Sequence, residues 1–445
     1  MPKSQLRMPN QKEQTSIPTS KVQRATKFIS TGAKIGGNYL KHYSKRLVNP
    51  NLTKDQLHED NATDIYNSLS QLKGSALKVA QMLSMDKNLL PTAYQNQFAM
   101  AQYSAPPLSF PLVVRTFEKY FNKRPNEVFD TFTQSASNAA SIGQVHQATL
   151  NGKKLAVKIQ YPGVGDSVKS DLAMVKPIAL RMFKLNPSEY DEFITEVQSR
   201  LLEEADYDLE LERSMDLSVK CKDIPNLVFP TYYPKYSAAR ILTMDWIEGQ
   251  PLGEFIKSGK LTHEESQRLG QAMWDFYHYQ MHTLKSLHAD PHPGNFIITP
   301  ERKLGVIDFG CVKVIPKDFH KQYFQLLHPD ILTNTEKRDK VFKQLRFIYE
   351  DDSAKDKKFF NEVFVQLVEL LGRPFRTPEF DFADKSYFES LYKFGEEIGS
   401  LKEFRESKKA RGVKDALYIN RTYYGLYNLL HELKAKVNTT SYVNF

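Results

Sequence analysis

The segment LHADPHPGNFIITPERKLGVIDFG, residues 287–310, constrains the chain more than any other, because it sets polar side chains beside a buried strand. Its first part contains two prolines and a glycine, which predicts a loop. Its last part, LGVIDF, predicts a short buried strand that presents Asp308 at its carboxyl end. Together with Asp290 and Asn295 of the loop, this aspartate supplies the hard oxygen ligands that magnesium prefers. The segment therefore predicts a site for a divalent metal and a phosphate chain.

The order of these residues, H-x-D-x-x-x-x-N followed by D-F-G, is the catalytic signature of protein-kinase-like phosphotransferases. On this interpretation Asp290 accepts the proton of the attacking hydroxyl, and Asn295 and Asp308 hold magnesium against the triphosphate of ATP. The alternative is that DFG occurs by chance and that HADPHPGN is a solvated turn. Two motifs in the expected order and spacing favour the catalytic interpretation.

Size and composition fit a globular enzyme. The chain has 445 residues, 41% of them hydrophobic and 12% aromatic, which suits a bilobal enzyme or two to three domains. No apolar run approaches the roughly 18 residues that would span a bilayer, and the first residues lack the apolar core of a secretory signal. Cys221 and Cys311 lie far apart without CxxC or histidine partners, which excludes a disulfide framework and a sequence-evident zinc site and is typical of a reducing compartment.

Positive charge is concentrated at the N-terminus. Residues 1–50 hold ten Lys or Arg against one acid, Glu13, and the rest of the chain holds 51 of each sign. A neutral body argues against nucleic acid as a partner, since that would need a basic surface on the fold. The segment is interpreted either as a surface for an anionic membrane or as a solvated tail, since Gly32, Gly36 and Gly37 weaken a helix there. The expected location is cytoplasmic and peripheral at a membrane, and the acid-poor composition leaves a mitochondrial transit peptide as the alternative.

Hydrophobic periodicity predicts the main elements. Residues 62–85 predict an amphipathic helix. Strands are predicted over residues 128–132, 142–150 and 154–160, with Asn151-Gly152 as a hairpin turn between the last two. The later patterns predict one long acidic helix over 191–214, strands at 228–229 and 239–246, a linker at 247–249, and a final helix with leucines at 426, 429, 430 and 433.

The strand KKLAVKIQ holds a lysine that a core strand would not need. Alternation puts Leu155, Val157 and Ile159 on one face and leaves Lys158 on the other. A lysine in this place is natural for a phosphate contact. The alternative is an exposed strand lysine.

Six motifs together resemble the UbiB/ADCK family of atypical kinases, over about residues 20–430. They are LKVAQMLS (77–84), NAASIGQVHQAT (138–149), AVKIQYPGV (156–164), EADYDLELE (204–212), HADPHPGN (288–295) and VIDFG (306–310). The resemblance implies an α+β, two-lobed protein-kinase-like fold with an N-terminal helical extension over the active site. The expected divisions are a basic segment at 1–50, the helical extension at 51–125, an N-lobe at 126–250 and a mostly helical C-lobe at 251–445.

The resemblance also implies a nucleotide site. Lys158 would contact the phosphates of ATP and pair with Glu210 of the following helix. The adenine would lie near Met244, Asp245 and Ile247.

Two further pairs match motifs of the family. Lys78 and Gln81 match its KxGQ motif, and Glu204 and Asp206 match its ExD motif. In such proteins the KxGQ helix covers the active site where ordinary kinases bind a protein substrate, and the ExD acids meet it there. Ala80 replaces the glycine of the motif, and its Cβ works against the close backbone approach that glycine permits. Without the family, the KxGQ pair would be interpreted as a solvated helix face.

The phosphate loop departs from relatives in a second way. It reads Ala139-Ala140-Ser141-Ile142-Gly143, and Gly143 stands where many relatives have another alanine. The alanines stiffen the loop, so its nucleotide preference is expected to differ from that of a typical kinase.

The residues after DFG favour a small substrate. DFGCVKVIP runs directly into a helical pattern, with no A-P-E motif and no phosphosite loop. We therefore expect ATP hydrolysis or phosphorylation of a small molecule, with ATP and Mg²⁺ as cofactors. The resemblance implies a role in isoprenoid-quinone lipid metabolism at a membrane, with a lipid or quinone precursor as ligand. Two alternatives stay open: a small-molecule kinase of the aminoglycoside type, and a nucleotide-binding scaffold without turnover.

Overall fold

A computed structural model describes residues 21–49, 55–72, 107–139, 142–183, 195, 198–199, 201–401, 403, 409 and 411–442. The predicted α+β class is confirmed, because helices occur in these residues together with sheets whose strands pair in antiparallel fashion, except for the parallel pair β5 and β10. The chain divides into two compact units. Unit 1 comprises Met1–Glu212 and Thr231–Trp246, and unit 2 comprises Arg213–Pro230 and Ile247–Phe445. The domain boundaries expected from the sequence stay predictions.

Unit 1 is built on a five-stranded antiparallel sheet. The order is β1-β3-β4-β6, and β2 also pairs with β3. Its strands are β1 (Thr131–Phe132), β2 (Asn138–Ala139), β3 (Gly143–Leu150), β4 (Lys153–Gln160) and β6 (Ile241–Asp245). Its described helices are Lys21–Val48, Asp55–Leu72, Phe110–Phe121, Pro125–Val128 and Val164–Phe183, and the helix Tyr207–Cys221 continues into unit 2.

The hairpin between β3 and β4 forms as predicted. Asn151 and Gly152 both have positive φ angles, 52° and 76°, which suit the tight turn of a two-residue hairpin. The register follows, with Val145 opposite Lys158 and Leu150 opposite Lys153. The strand predicted over 128–132 is wrong at its start, because residues 125–128 form a helical turn before β1.

One core cluster lies under this sheet. Leu155, Val157 and Ile159 of β4, the three residues that alternation predicted to share a face, are buried against Val113 and Phe117 of the helix Phe110–Phe121. Burying side chains of this size contributes about 1.5–3 kcal/mol each. Because this face is filled, the opposite face of β4 is the one that carries Lys158.

The basic N-terminal segment forms a helix over Lys21–Val48, against the expectation that its glycines would weaken one. A Cβ at Gly32, Gly36 or Gly37 would meet no atom within 4 Å, so these glycines face open space. Their cost is only that of propensity, about 1 kcal/mol each relative to alanine. The opposite face of the helix is held by tertiary contacts, including a buried ion pair from Arg24 to Asp171 of the helix Val164–Phe183.

The single acidic helix predicted over 191–214 is interrupted. Within the described part of this range, a helical turn ends before Ala205 and a new helix begins at Tyr207. Neither proline nor glycine lies at the break, so the sequence alone gave no sign of it. The helix predicted over 62–85 begins earlier, at Asp55, and its part beyond Leu72 lies outside the described residues.

Unit 2 is mostly helical. A sheet in the order β5-β10-β9-β7 is accompanied by two two-stranded pairs, β11-β8 and β12-β13. The strands are β5 (Leu227–Val228), β7 (Gln250–Pro251), β8 (Ser286–His288), β9 (Phe296–Ile298), β10 (Leu304–Val306), β11 (Val312–Val314), β12 (Glu379–Asp381) and β13 (Lys436–Asn438). The α-helices are Leu252–Lys257, His263–His278, Lys317–Tyr323, Thr335–Gln344, Ala354–Gly372, Lys385–Ser400 and Lys414–Glu432, and a π-helical turn spans Tyr279–Leu284.

In the part of the chain that the structure describes, no helix is long and apolar enough to cross a membrane.

Candidate active site

Lys158 lies on β4 between two hydrogen-bonded neighbours, opposite Val145 on one side and Leu242 on the other. Its Nζ lies 2.7 Å from Oε1 of Glu210, and the two side chains are 15% and 2% exposed. The ammonium also lies 5.2 Å from the ring centroid of Tyr207. The predicted pairing of Lys158 with Glu210 is therefore present, and the alternative of an exposed strand lysine is wrong. A buried carboxylate is stabilised only when it is paired and hydrogen-bonded, and Lys158 supplies that partner.

Asp206 of the ExD motif starts the helix that carries Glu210. Its Oδ1 accepts a hydrogen bond from the backbone N–H of Leu209 (3.0 Å), and its carbonyl accepts one from the N–H of Glu210 (2.9 Å). A side-chain oxygen at this position satisfies a backbone N–H that has no partner within the helix. Asp206 is exposed and Glu204 is half-buried, while Glu210 is buried. The two ExD acids and the lysine partner are thus separated in environment as well as in sequence.

The phosphate loop is only partly described. Ala139 ends β2 and pairs with Gln144 of β3, whereas Ala140 and Ser141 lie outside the described residues. Gly143 is required by close packing, because a Cβ there would lie 2.7 Å from both the Ile159 carbonyl oxygen and the Tyr207 hydroxyl. Packing within unit 1 therefore explains why this position holds glycine. Lys78, Ala80 and Gln81 of the KxGQ motif also lie outside the described residues, so their roles stay predictions.

The residues predicted near the adenine have different surroundings. Met244 is buried on β6, opposite Ala156. The carboxylate of Asp245 accepts hydrogen bonds from the Tyr233 hydroxyl (2.6 Å) and the Thr231 N–H (3.0 Å). Asp245 therefore fixes the segment before β6, a role that the sequence did not indicate. Ile247 packs in unit 2, where its Cγ2 would lie 3.1 Å from a Cβ at Gly305.

In unit 2, the loop after β8 brings Asp290 and Asn295 together. The side-chain amide nitrogen Nδ2 of Asn295 donates to the backbone carbonyl of Asp290 (2.9 Å) and to the carboxylate oxygen Oδ2 of Asp290 (3.2 Å). The Asp290 carbonyl also accepts the N–H of His292 (2.8 Å). The loop ends in a 3-10 helical turn over Pro293–Asn295, and its two prolines and these hydrogen bonds fix its course.

Asp308 is held two residues after β10. Its Oδ1 accepts the N–H of Gly310 (2.8 Å), and the preceding Ile307 N–H donates to the carbonyl of Asn295 (3.1 Å). The next residue, Phe309, is fully buried against Phe229 and His288, which anchors the D-F-G turn.

His288 has a structural role. It is fully buried, its Nδ1 lies 3.1 Å from the Tyr277 hydroxyl, and its N–H donates to Gln280. Burial lowers the pKa of His288, and the negative charges of Asp290 and Asp308 offset only part of that effect. The imidazole is therefore neutral, and its packing supports the loop that carries Asp290.

The sequence analysis did not predict that the helix Lys414–Glu432 supports the loop that carries Asp290. A Cβ at Gly425 would overlap the ring of Pro291, so this glycine lets the helix Lys414–Glu432 pack directly against the loop that carries Asp290. The same helix supplies Asp415, whose carboxylate lies 2.7 Å from Nζ of Lys313 on β11. A glycine on one face of a leucine-rich helix was the only signal of this contact.

The oxygen groups of unit 2 fit a magnesium ion. Because the amide nitrogen of Asn295 donates to Asp290, its Oδ1 is the atom that can coordinate a cation, and Asp308 contributes a carboxylate. Among the described residues, no group of three or more His, Cys, Asp or Glu side chains is arranged to hold a metal. A magnesium ion needs only a few protein ligands, because it usually binds through one or two carboxylates together with substrate phosphates.

Comparison with known proteins agrees with this arrangement. The family model described as ABC1 atypical kinase-like domain matches residues 100–342, which include Lys158, Glu210 and the whole segment from Leu287 to Gly310. The chain is 27% identical over 436 residues to the atypical kinase COQ8, mitochondrial, of Saccharomyces cerevisiae, covering 95% of this chain and 84% of that protein. It is also 27% identical over 389 residues to the atypical kinase COQ8B, mitochondrial, of Danio rerio, covering 84% of this chain and 61% of that protein.

A solved structure shares the fold. The Mycobacterium tuberculosis protein Rv3197, determined in complex with erythromycin, superposes with a TM-score of 0.60 at 25% identity. The superposition covers 87% of this chain and 95% of that one.

Proposed function

The chain belongs to the ABC1 family of atypical kinase-like proteins, and we propose that it is an ATP-binding, magnesium-dependent kinase or ATPase that acts on a small molecule or lipid rather than on proteins. The observation that carries this proposal is the buried ion pair between Lys158 and Glu210, 2.7 Å apart. The carboxylate of Glu210 holds the amino group of Lys158 in a fixed place beside the sheet, where it can bind phosphate.

The described residues support distinct roles. Asp290, fixed by Asn295, accepts the proton of the attacking hydroxyl or water. Lys158 binds the phosphates, and Asn295 and Asp308 hold the metal. Magnesium, when bound, neutralises phosphate charge and holds the triphosphate for transfer.

The segment after D-F-G supports a small substrate. β11 begins two residues after Gly310 and the next helix begins at Lys317, so this part of the chain has no extended loop for docking a peptide. We propose isoprenoid-quinone lipid metabolism as the setting, following the resemblance to COQ8. The erythromycin complex of the mycobacterial relative adds macrolides to the ligands worth testing.

The helix Lys21–Val48 supports attachment to an anionic membrane. It contains no acid, and Val22, Ile29 and Leu40 are each more than 70% exposed. At 100° per residue, these three lie within about 20° of one another, so they form a stripe that we call the apolar stripe. The helix also carries a row of lysines, about 120° from the stripe, namely Lys27, Lys34, Lys41 and Lys45. We further propose that this membrane is mitochondrial, because both COQ8 relatives are named as mitochondrial.

Phosphate release from Mg-ATP tests the proposal. The wild-type protein should release phosphate slowly, faster with anionic vesicles, and Asp290→Asn should lower the rate by about 10²–10⁴-fold, the usual contribution of a general base. Asp318→Asn, an exposed aspartate in the same unit, is the matched control. Binding of ATP without any release would favour the scaffold alternative. Rapid phosphorylation of a generic peptide would contradict the small-substrate assignment.

A further inference from the structure

The carbonyl of Ala205 accepts two side-chain hydrogen bonds. Ala205 lies at the helix break between the two ExD acids, Glu204 and Asp206. Its oxygen accepts a hydrogen bond from Nε2 of Gln160 (2.9 Å) and another from Nη1 of Arg240 (2.7 Å). Two donors on one carbonyl fix the position of the peptide between the acids.

The donors are themselves fixed. Arg240 Nη1 also donates to Oε1 of Gln160, and the Gln160 N–H donates to the carbonyl of Arg240 (3.0 Å). A Cβ at Gly165 would lie 2.8 Å from Nη2 of Arg240, so this glycine makes room for the guanidinium. The rigid fork of arginine suits such a site, because several N–H groups point in set directions. We call Gln160, Arg240 and the Ala205 carbonyl the carbonyl clamp.

The clamp and the ion pair act on the same segment. Lys158 and Gln160 lie two residues apart on one face of β4, and they contact Glu210 and Ala205 respectively. The strand therefore holds the segment 205–210 at both ends. Because Asp206 starts the helix that carries Glu210, a shift of the Ala205 peptide would move the ExD acids and tilt the partner of Lys158.

We propose that Arg240 is a positioning residue for the acidic segment 204–210, and that it sets the affinity for Mg-nucleotide without touching the nucleotide. This inference rests on the proposed function. Its physical basis is that a side chain that fixes a ligand-binding group without touching the ligand, like those that orient the ligands of metal sites, commonly changes affinity about 10–100-fold when it is removed.

The test compares Arg240→Met with Arg240→Lys and with Lys235→Met, which removes an exposed cation from the same stretch of unit 1. Two quantities are measured well below the melting temperature: the Kd for Mg-ATP by calorimetry, and amide hydrogen exchange in peptides covering residues 204–210. We expect Arg240→Met to raise the Kd by about 10–100-fold and to speed exchange selectively in this segment, where the N–H groups of Leu209 and Glu210 donate to Asp206. Arg240→Lys, which keeps one donor, should be intermediate, and Lys235→Met should match the wild type.

The outcomes separate two failures. Absence of Mg-ATP binding by the wild-type protein would overturn the proposed function, and with it the role of Arg240 in affinity. Wild-type binding combined with an unchanged Kd in Arg240→Met would overturn the positioning role alone. A loss of affinity with uniformly faster exchange across unit 1 would also overturn it, because that pattern reports general destabilisation.

Discussion

Arg24 and Asp171, which are 147 residues apart in sequence, form a two-pronged ion pair between two helices. Nε and Nη2 of the guanidinium lie 2.6 and 2.5 Å from the two carboxylate oxygens, and Nη1 donates to the carbonyl of Leu72. Both side chains are almost fully buried. The helix Lys21–Val48, which is the described part of the basic N-terminal segment, is thus part of the folded unit.

Replacing Arg24 should destabilise unit 1. Arg24→Met removes the guanidinium that pairs with the buried carboxylate of Asp171, and breaking a buried ion pair costs about 3–5 kcal/mol of unfolding free energy. Urea denaturation followed by circular dichroism measures the loss. Lys27→Met on the same helix should stay within about 0.5 kcal/mol of the wild type. The double change Arg24→Met with Asp171→Leu should recover most of the stability, and a single variant as stable as Lys27→Met would contradict the prediction.

Neutralising Glu210 should weaken nucleotide binding. Glu210→Gln keeps the shape of the side chain but removes the charge that holds Lys158, so the ammonium is no longer fixed for phosphate. We expect the Kd for Mg-ATP to rise by about tenfold or more, because hydrogen bonds between charged groups contribute about 1.5–3 kcal/mol. Asp208→Asn, an exposed acid on the same helix, is the control. Equal affinity in both variants would show that the ion pair is only structural.

Asp308→Asn should remove the magnesium dependence of ATP binding. The amide keeps an oxygen to accept the Gly310 N–H but loses a full charge beside the metal. The melting temperature of the apo protein should therefore stay near that of the wild type, while the extra stabilisation by Mg-ATP is lost. If Mg-ATP raised the melting temperature of Asp308→Asn as much as that of the wild-type protein, Asp308 would be rejected as a metal ligand.

Unit 2 should lose stability in mild acid. His278, His282 and His320 lie against one another, with ring centroids 5.6 and 5.4 Å apart along the series. Burial lowers the pKa of His278 from 6.5 to about 3, and it lowers the pKa values of His282 and His320 to about 2 and about 4. Below pH 6.5 the unfolded chain takes up protons that the folded chain refuses, so stability falls as the pH falls from there toward the folded values.

For His278 alone, this loss approaches about 1.4 kcal/mol per pH unit below 6.5. Melting temperatures between pH 7.5 and 5 measure it. His282→Phe should flatten the decline, because the ring already packs 4.4 Å from Phe324 by centroid. Replacing the exposed His263 by phenylalanine should leave the decline unchanged, and an equal slope in both variants would argue against the buried cluster.

The apolar stripe should govern binding to anionic vesicles. Deleting residues 1–50 is a poor test, because it removes Arg24 along with the stripe. Changing Val22, Ile29 and Leu40 to serine leaves the ion pair intact and should weaken cosedimentation with phosphatidylglycerol vesicles while the melting temperature holds. The lysines of this helix add about 1 kcal/mol each where they reach the surface, so binding should also fall with salt. Met215→Ser with Val219→Ser, on another exposed apolar pair, is the control, and equal loss in both sets would remove the assignment.

Local patterns predicted the parts of the fold that local forces decide. Asn151-Gly152 indicated the hairpin because only a few residues tolerate positive φ, and alternation along β4 separated the core face from Lys158. The pairing of Lys158 with Glu210 also followed from the motifs, although the sequence argument assumed one continuous helix.

What the sequence did not reveal depends on distant contacts. The break at Ala205 is held by Arg240, 35 residues away, and no residue at the break marks it. The helix Lys21–Val48 forms despite three glycines because Arg24 finds Asp171 far along the chain. Gly425 supports the Asp290 loop only because Pro291 lies against it. None of these partners can be read from spacing.

The hydrogen bond from the Leu209 N–H to Asp206 also bears on how this position can vary during evolution. If Asp206 served only to begin its helix, serine, threonine and asparagine would be accepted there almost as readily. If its charge also acts on a metal-bound nucleotide, only aspartate would survive selection. A library of all substitutions at position 206, sorted once for folding and once for nucleotide binding, would therefore separate selection for the helix start from selection for nucleotide binding. In lineages that lost turnover, we expect position 206 to change first to the other residues that can begin a helix.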